Sequence, residues 1–279
     1  MMDKIEKVGK SLIQHGKYND RIYLMKLHQQ DMHMMASFME TLAAKNDYSK
    51  LFAKVPEQAV PVFTARGYDV EAHIPRFYHG QKDVFFMSRF LHKERKQAQN
   101  MERIKDVLRV AGDKAKGWRP PDVPEGYTLR RTYSEDIPDM VGIYRKVFAT
   151  YPFPIHDPGY IKQTMLEHVW YYGAWHNSEL RALSSAEMDI AGSNAEMTDF
   201  ATLPEHRGDS LAVHLLAVME QHMRQQGMHT AYTIARAVSY GMNITFARMG
   251  YTYSGTLVNN TNISGGFESM NIWYKHLNM

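Results

Sequence analysis

Apolar residues along this chain recur with two different periods, and the switches between them predict its elements. Short β-like runs at residues 11–14, 21–27, 51–55, 68–74 and 84–90 mark the first third. Met35, Phe38, Met39 and Leu42 repeat at helical steps and predict a helix over 31–45 with Asp31 as its N-cap. Pro56 stops the next strand, and a short helix running to Arg66 ends on Gly67. Over 92–110 the pattern is helical but very polar, with Met101, Ile104, Val107 and Leu108 as a thin apolar stripe. Residues 112–124 predict a linker, because Pro120, Pro121 and Pro124 cannot continue a helix.

Beyond the linker the pattern predicts a strand at 127–131 and a helix over 136–149, with Ile137, Met140, Val141, Tyr144 and Phe148 on one face. An aromatic, proline-rich loop at 151–160 precedes strands at 170–175, 182–189 and 195–203. Leu211, Leu215, Met219 and Met223 predict a helix over 210–225 that stops at Gly227. A strand at 230–236, a helix ending near Gly250 and an alternating tail at 252–257 and 270–274 complete the chain. Strands alternating with helices predict a mixed α/β sheet. The expected division is an N-terminal domain at 1–92, a basic helix and linker at 93–124, and a second domain at 125–279.

One short echo links the two parts. Phe63 to Tyr68 and Phe246 to Tyr251 both read Phe-x-x-x-Gly-Tyr, each closing a helix that follows a strand. Either this is a common helix C-cap met twice, or the N-terminal part is a shrunken copy of the second half of the C-terminal part.

Composition narrows the classes. A chain of 279 residues, 44% hydrophobic and 23% charged, is globular in character. No run approaches the roughly 18 apolar residues of a membrane helix, and the opening Met1-Met2-Asp3-Lys4-Ile5-Glu6 lacks a signal-peptide core. A cytoplasmic location is therefore expected, away from membranes. The absence of cysteine excludes disulfides, thiol nucleophiles and thiolate metal sites. No His-Glu-x-x-His occurs, and His214 and His222 stand too far apart on one helix to share an ion, so no metal is expected. The net charge of +3 is concentrated: residues 93–119 carry +5, which leaves −2 for the remainder. An excess confined to one connector does not predict nucleic-acid binding.

The chemistry concentrates in residues 196–212. A strand ends at Pro204, and a turn rich in Arg, Gly and Ser opens the 210–225 helix. Such a turn exposes unpaired amides at the positive end of a helix, where an anion binds. Gly208, Ser210 and Ala212 let a phosphate approach, and Arg207 adds charge.

Here the sequence resembles the GCN5-related N-acetyltransferases (GNAT). Their turn, Gln/Arg-x-x-Gly-x-Gly/Ala, reads Arg207-Gly208-Asp209-Ser210-Leu211-Ala212, with Ser210 in place of the central glycine. Asn243 to Tyr251 resembles the helix that flanks the cofactor in that family. The resemblance implies a GNAT fold over 125–279, with a smaller degenerate GNAT-like N-terminal domain. It also implies acetyl-CoA as co-substrate, with its pyrophosphate on Arg207, Gly208, Ser210, Leu211 and Ala212. Ala201 and Leu203 would pair with the pantetheine arm, and Asn243 and Phe246 would flank the carrier. Phe246 stands where many members keep a tyrosine acid, so either Tyr240 or Tyr251 substitutes, or the thiolate leaves unaided.

Over its whole length the chain resembles a narrower group, the bacterial and archaeal β-lysine N6-acetyltransferases. This likeness rests on Ile13 to Arg21, Tyr151 to Asp157, Ser239 to Asn243 and Asn259 to Ile263. It implies acetylation of the side-chain amine of β-lysine, a product of lysine that serves as a compatible solute once acetylated. Attack on a thioester needs a neutral amine, whose ammonium has a pKa near ~10.4, so a base is required. Glu196 and Asp199 are the candidates, and simple strand alternation allows only one to face the acetyl group. Tyr151, Phe153 and His156 are expected to wall the acceptor, Asp157 to pair with an ammonium, and Arg236 to take a carboxylate. Asn259, Asn260 and Asn262 either supply amides near the pocket or make a turn. The expected partner is a small amine, with a homodimer left open. Competing readings are another acceptor (a polyamine, an aminoglycoside or a protein N-terminus) and a non-catalytic acyl-CoA sensor.

Overall fold

Two mixed sheets stacked face to face organise the chain, which a computed structural model describes over residues 3–263 and 265–277. The ends of the expected domains at 1–2 and 278–279 lie outside the described residues. The first sheet comprises β1 (Lys4–Val8), β2 (Ser11–Gly16), β3 (Arg21–Lys26), β4 (Lys50–Pro56), β5 (Asp69–Tyr78) and β6 (Lys82–Phe90), in the order β1-β2-β3-β4-β6-β5. Helix α1 (Met32–Asn46) crosses between the parallel pair β3 and β4, and α2 (Val60–Thr64) follows β4. Ile13, Ile22, Leu24, Leu51, Ala53 and Met87 point to α1 and α2, while Tyr23, Phe52 and Phe86 point the other way. That is period-two alternation with both faces buried.

After α3 (Met101–Ala115) the second sheet collects β7 (Tyr127–Arg131), β8 (Val169–His176), β9 (Glu179–Asp189), β10 (Asn194–Thr202), β11 (Thr230–Arg236), β12 (Thr252–Ile263) and β13 (Gly266–His276). Its order is β12-β13-β11-β10-β9-β8-β7. Helices α4 (Ile137–Val147) and α5 (Pro158–Glu167) cover β8 to β10 on one face. Helix α6 (Leu211–Gln225), crossing from β10 to the parallel β11, covers the other face together with α7 (Tyr240–Arg248) and α3.

The two sheets share one plan. In the first, β3-α1-β4-α2-β5-β6 gives the order β3-β4-β6-β5; in the second, β10-α6-β11-α7-β12-β13 gives β10-β11-β13-β12. The echo marks equivalent places. Phe63 meets Tyr68 edge-on at 5.1 Å, and Phe246 meets Tyr251 edge-on at 5.0 Å. Each tyrosine N–H donates to its phenylalanine carbonyl, across glycines with φ of 76° and 78°. A shared C-cap alone would not carry the strand order with it, so the shrunken-copy reading is the one the fold supports. The copy has lost its anion turn. Asp31 occupies the expected N-cap position of α1 without a side-chain capping bond; its carboxylate accepts from the Lys10 N–H (2.8 Å) and Ser11 Oγ (2.7 Å) and puts negative charge at the helix start.

The first sheet lies beside α4 and α5, with Tyr23, Phe52, Phe77 and Phe86 packed on Tyr232, Leu257, Met270 and Ile272 of the second. The seam is tight: a Cβ on Gly255 of β12 would stand 2.9 Å from the Ala72 Cα of β5. At its centre Lys50 donates to Glu71 (3.0 Å) and to the Val258 carbonyl (2.7 Å), and Glu71 accepts from the Val258 N–H (2.8 Å) and from Ser88. Burial drops Lys50 to about 8 despite that partner.

Three local expectations need correction. The polar stretch does not form one helix over 92–110: α3 starts at Met101 and runs through Gly112 to Ala115, burying Ile104, Val107 and Ala111 beneath α7. The basic segment is therefore partly a packed element. Strand β1 and helix α5 had no strong periodic signal and were absent from the pattern.

Because Glu71 is the counter-ion of a fully buried lysine, Glu71→Ala is expected to cost about 3–5 kcal/mol, whereas Lys50→Met with Glu71→Leu costs much less. Urea unfolding of the two variants checks this, and an equal loss in both would refute it.

Candidate active site

The cleft begins where the second sheet parts. Strands β10 and β11 pair only from Asn194–Thr230 to Glu196–Tyr232, and beyond Glu196 they diverge. On its other side β10 keeps register with β9 up to Thr198–Ser185 and resumes at Ala201–Leu183. Asp199, at φ 55°, sits in this break, a bulge that bends the strand and re-aims its side chains. The opened wedge is closed below by the turn into α6. There Gly208 adopts φ 115°, which a side chain would forbid, and Ser210 is left-handed at φ 57°. Helix α6 starts at Leu211 without a side-chain cap, so its first amides face the cleft unclaimed by a cap. The resulting cavity of about 590 Å³ is lined by Arg207, Gly208, Ser210, Leu211, Ala212 and Phe246, among others.

A second cavity of about 130 Å³ lies between the two sheets and the 151–160 segment. Tyr151, Phe153 and Tyr160 form one wall, and Tyr23, Phe52 and Lys54 of the first sheet form the opposite one. The two cavities meet at Tyr151, Thr198, Asp199, Ile234, Ile263 and Met270. Three carboxylates enter the smaller one: Glu187, Glu196 and Asp199. Burial, reinforced by Glu187 directly opposite in the ladder, pushes Glu196 up to about 7, against the pull of Lys54 and Tyr232. Lys54 donates to the Tyr232 hydroxyl at 3.2 Å. Burial also raises Asp199, although Ser185 donates to it at 2.5 Å and Tyr151 donates to its other oxygen. Tyr151 is itself held well above the ordinary tyrosine value by burial and by Asp199, and so stays protonated.

The expected residues divide sharply on this geometry. Arg207, Gly208, Ser210, Leu211, Ala212 and Phe246 line the larger cavity; Tyr151, Phe153, Glu196 and Asp199 line the smaller. The expectation that only one carboxylate faces the site is overturned, because the bulge restores Asp199 to the side of Glu196. The same extra residue displaces Ala201 and Leu203. Their side chains enter the core under α4, and the Leu203 N–H donates to the Arg181 carbonyl at 3.0 Å. The edges left facing the cleft are those of Phe200 and Thr202.

Tyr240 lines neither cavity: its hydroxyl donates to Asp106 at 2.6 Å, because α3 packs on that end of α7. Tyr251 is buried behind Phe246. Asn243 is fully enclosed, donating to the Arg236 and Ser239 carbonyls and accepting from Asn271 and Trp273, so it fixes the β11–α7 turn instead of meeting a ligand. Arg236 borders the larger cavity but is held by Glu268 through contacts of 2.7 and 2.6 Å. Asp157 caps α5 through the Gly159 N–H (2.9 Å), and His156 offers its carbonyl to Arg145 (3.0 Å); neither lines the smaller cavity.

Sequence reasoning passed over Arg21, Lys54 and Glu187, all lining the smaller cavity, whereas Asn260, one of three asparagines expected near the pocket or in a turn, lines it as well. A signal existed. Lys54 and Glu187 are charges flanked on both sides by apolar residues within strands, in Ala53-Lys54-Val55 and Ala186-Glu187-Met188, an arrangement costly enough to ask for a reason.

A long cleft closed by free helix amides, ending against a small acid-lined chamber, suits a phosphate-bearing carrier that hands an acyl group to an amine. The fold and site thus define an N-acyltransferase. Residues 137–251 match the Acetyltransferase (GNAT) family. The chain is 42% identical over 275 residues to the β-lysine N6-acetyltransferase of Methanococcus maripaludis, covering 98% of this chain and 99% of that protein. It is 30% identical over 280 residues to the N-acetyltransferase YodP of Bacillus subtilis (99% and 100%). It is 31% identical over 263 residues to the β-lysine N6-acetyltransferase of Methanosarcina mazei (87% and 97%). The chain belongs to the GNAT family and is an N-acetyltransferase that draws on acetyl-CoA.

The left-handed Ser210 makes a direct check of the turn. A left-handed L-residue costs about 1–2 kcal/mol, partly offset by the greater unfolded-state freedom of glycine. Ser210→Gly is expected to raise unfolding free energy by roughly 0.5–1 kcal/mol; a loss on urea denaturation would contradict the assigned conformation.

Proposed function

We propose that this protein moves the acetyl group of acetyl-CoA to the N6 amine of β-lysine, with Glu196 as base. The observation that carries the reading is the meeting of the carrier cleft with the acid-lined chamber at the β10 bulge. Relatives of full-length likeness bearing that activity supply the acceptor. The carrier's pyrophosphate rests on the Gly208 to Ala212 turn, and its thioester reaches the bulge.

A carboxylate poised near 7 takes a proton from an ammonium at neutral pH far better than an ordinary glutamate does. The chamber's acid lining draws the ammonium in, and Glu196 removes its first proton to solvent. As the C–N bond forms, the Phe200 N–H, released from the β9 ladder by the bulge, steadies the oxyanion. When the C–S bond breaks, the departing sulfur takes a proton from Tyr151. The second proton shed by nitrogen restores that hydroxyl, and one proton is released overall. Phe246 and Tyr240 take no part in the proton transfers. The product carries one carboxylate and one ammonium, so it has no net charge and suits accumulation as a compatible solute. Its co-substrate and lysine-derived acceptor point to the cytoplasm and to lysine breakdown.

Thiol release with β-lysine, α-lysine, polyamines and peptides tests the acceptor, and β-lysine should give the highest kcat/KM. Acetyl-CoA binding with no thiol release from any amine would favour the sensor. Glu196→Gln is expected to lower kcat at least ~100-fold. It should also abolish the rise in rate that the wild type shows as pH climbs through about 7. A Gln variant that keeps that limb would exclude Glu196 as the base. Tyr151→Phe is expected to lower kcat about tenfold or more with KM for acetyl-CoA little changed; an unaltered kcat removes it from the proton path.

A further inference from the structure

Two buried residues lining the smaller cavity each carry a polar atom that has no role in this chemistry and no partner among the described residues. Arg21, on β3, is only 4% exposed, and its Nε–H has no acceptor among the described residues. Its Nη1 donates to the Asn260 carbonyl and to Thr261 Oγ1 (3.3 Å), and its Nη2 reaches Gln14 at 3.5 Å. Among the described residues it forms no ion pair, unlike the other buried cations: Lys50 has Glu71 at 3.0 Å and Arg95 has Asp20 at 3.7 Å. Beside Arg21, the Oδ1 of Asn260, a residue 1% exposed, has no donor among the described residues.

A buried guanidinium without a counter-ion is costly, and a buried carbonyl oxygen without a donor adds to the cost. Side by side, the two are complementary to a ligand that brings a carboxylate and an ammonium close together. Both residues line only the smaller cavity, while Asp199 lies at its mouth on the carrier cleft. The opposite strands β9 and β10 present Glu187 and Glu196, which repel a carboxylate and attract an amine. Charge therefore sets one orientation for a chain that is zwitterionic at one end and cationic at the other.

We propose that Arg21 and Asn260 form the receptor for the amino-acid head of the acceptor. Arg21 takes the carboxylate, Asn260 Oδ1 takes the neighbouring ammonium, and the aliphatic stem runs between Tyr23, Phe52 and Tyr151 toward Glu196. This deepens the acceptor reading given above and rests on it. It makes the N-terminal sheet the part of the enzyme that separates amino acids from plain diamines.

The test measures kcat/KM for β-lysine, 6-aminohexanoate and 1,5-diaminopentane in the full-length wild type, Arg21→Gln and Asn260→Ala, each checked for a wild-type melting curve and acetyl-CoA affinity. Arg21→Gln should reduce the preference for β-lysine over 1,5-diaminopentane at least 30-fold, mainly through KM. Asn260→Ala, which keeps the guanidinium, should reduce the preference for β-lysine over 6-aminohexanoate about tenfold, and it decides the matter if the Arg21 variant does not fold. Unchanged preferences in folded variants that still use β-lysine would overturn the receptor and leave the acceptor reading intact. A wild type that acetylates diamines but no amino acid would overturn both.

Discussion

Glu71 accepts hydrogen bonds from Lys50 and Ser88 in its own sheet and from the Val258 N–H of the other. The Ser254 hydroxyl adds a second direct tie, accepting from the His73 N–H and donating to its carbonyl, and the site depends on these ties. The smaller cavity exists only because the first sheet is held at a fixed offset from β12, with Tyr23 and Phe52 facing Tyr232 and Met270. A slip along this seam would open the chamber to water, and the depressed acidity of Glu196 would vanish with its burial. Asn259 and Asn262 extend the same tie by holding the Arg95 and Tyr18 carbonyls, so they serve the joint while Asn260 between them faces the cavity.

The second constraint is one extra residue in β10. Without the break at Asp199 the strand would keep strict alternation, and Asp199 and Glu196 would point to opposite faces. With it, two carboxylates of unlike surroundings stand in one chamber. Asp199 is tied down by Ser185 and Tyr151; Glu196 stands between the like charge of Glu187 and the Tyr232–Lys54 pair and is the freer to exchange a proton. One irregularity thereby underlies the proposed division between a holding acid and a proton-moving one.

What could be read from sequence was what is local. The helix over 210–225, the turn before it and the glycine stops need only neighbouring residues, and the family likeness in Arg207 to Ala212 is local too. Ala201 and Leu203 were misassigned because a bulge is a property of the ladder between two strands, to which β10 alone gives no clue. Tyr240 and Asn243 were misassigned because α3 and β13, distant in sequence, claim their polar atoms. Arg21 and Lys54 were passed over because the chain returns to the chamber from roughly a hundred residues or more away. The leading ninety or so residues, expected as a smaller degenerate domain, supply one wall of the smaller chamber through Arg21, Tyr23, Phe52 and Lys54.

The Phe63–Tyr68 and Phe246–Tyr251 pairs are the mark of a half that was duplicated, and the two copies now face different molecules. The C-terminal copy keeps the amide turn and must stay faithful to a carrier that does not vary. The N-terminal copy, with Asp31 where that turn would be, is released from the obligation. Its inner face meets only the acceptor side of the site. On the proposed roles of the two cavities, drift there changes which nucleophile fits without touching thioester handling, and the fold separates an evolvable half from a conservative one within a single chain.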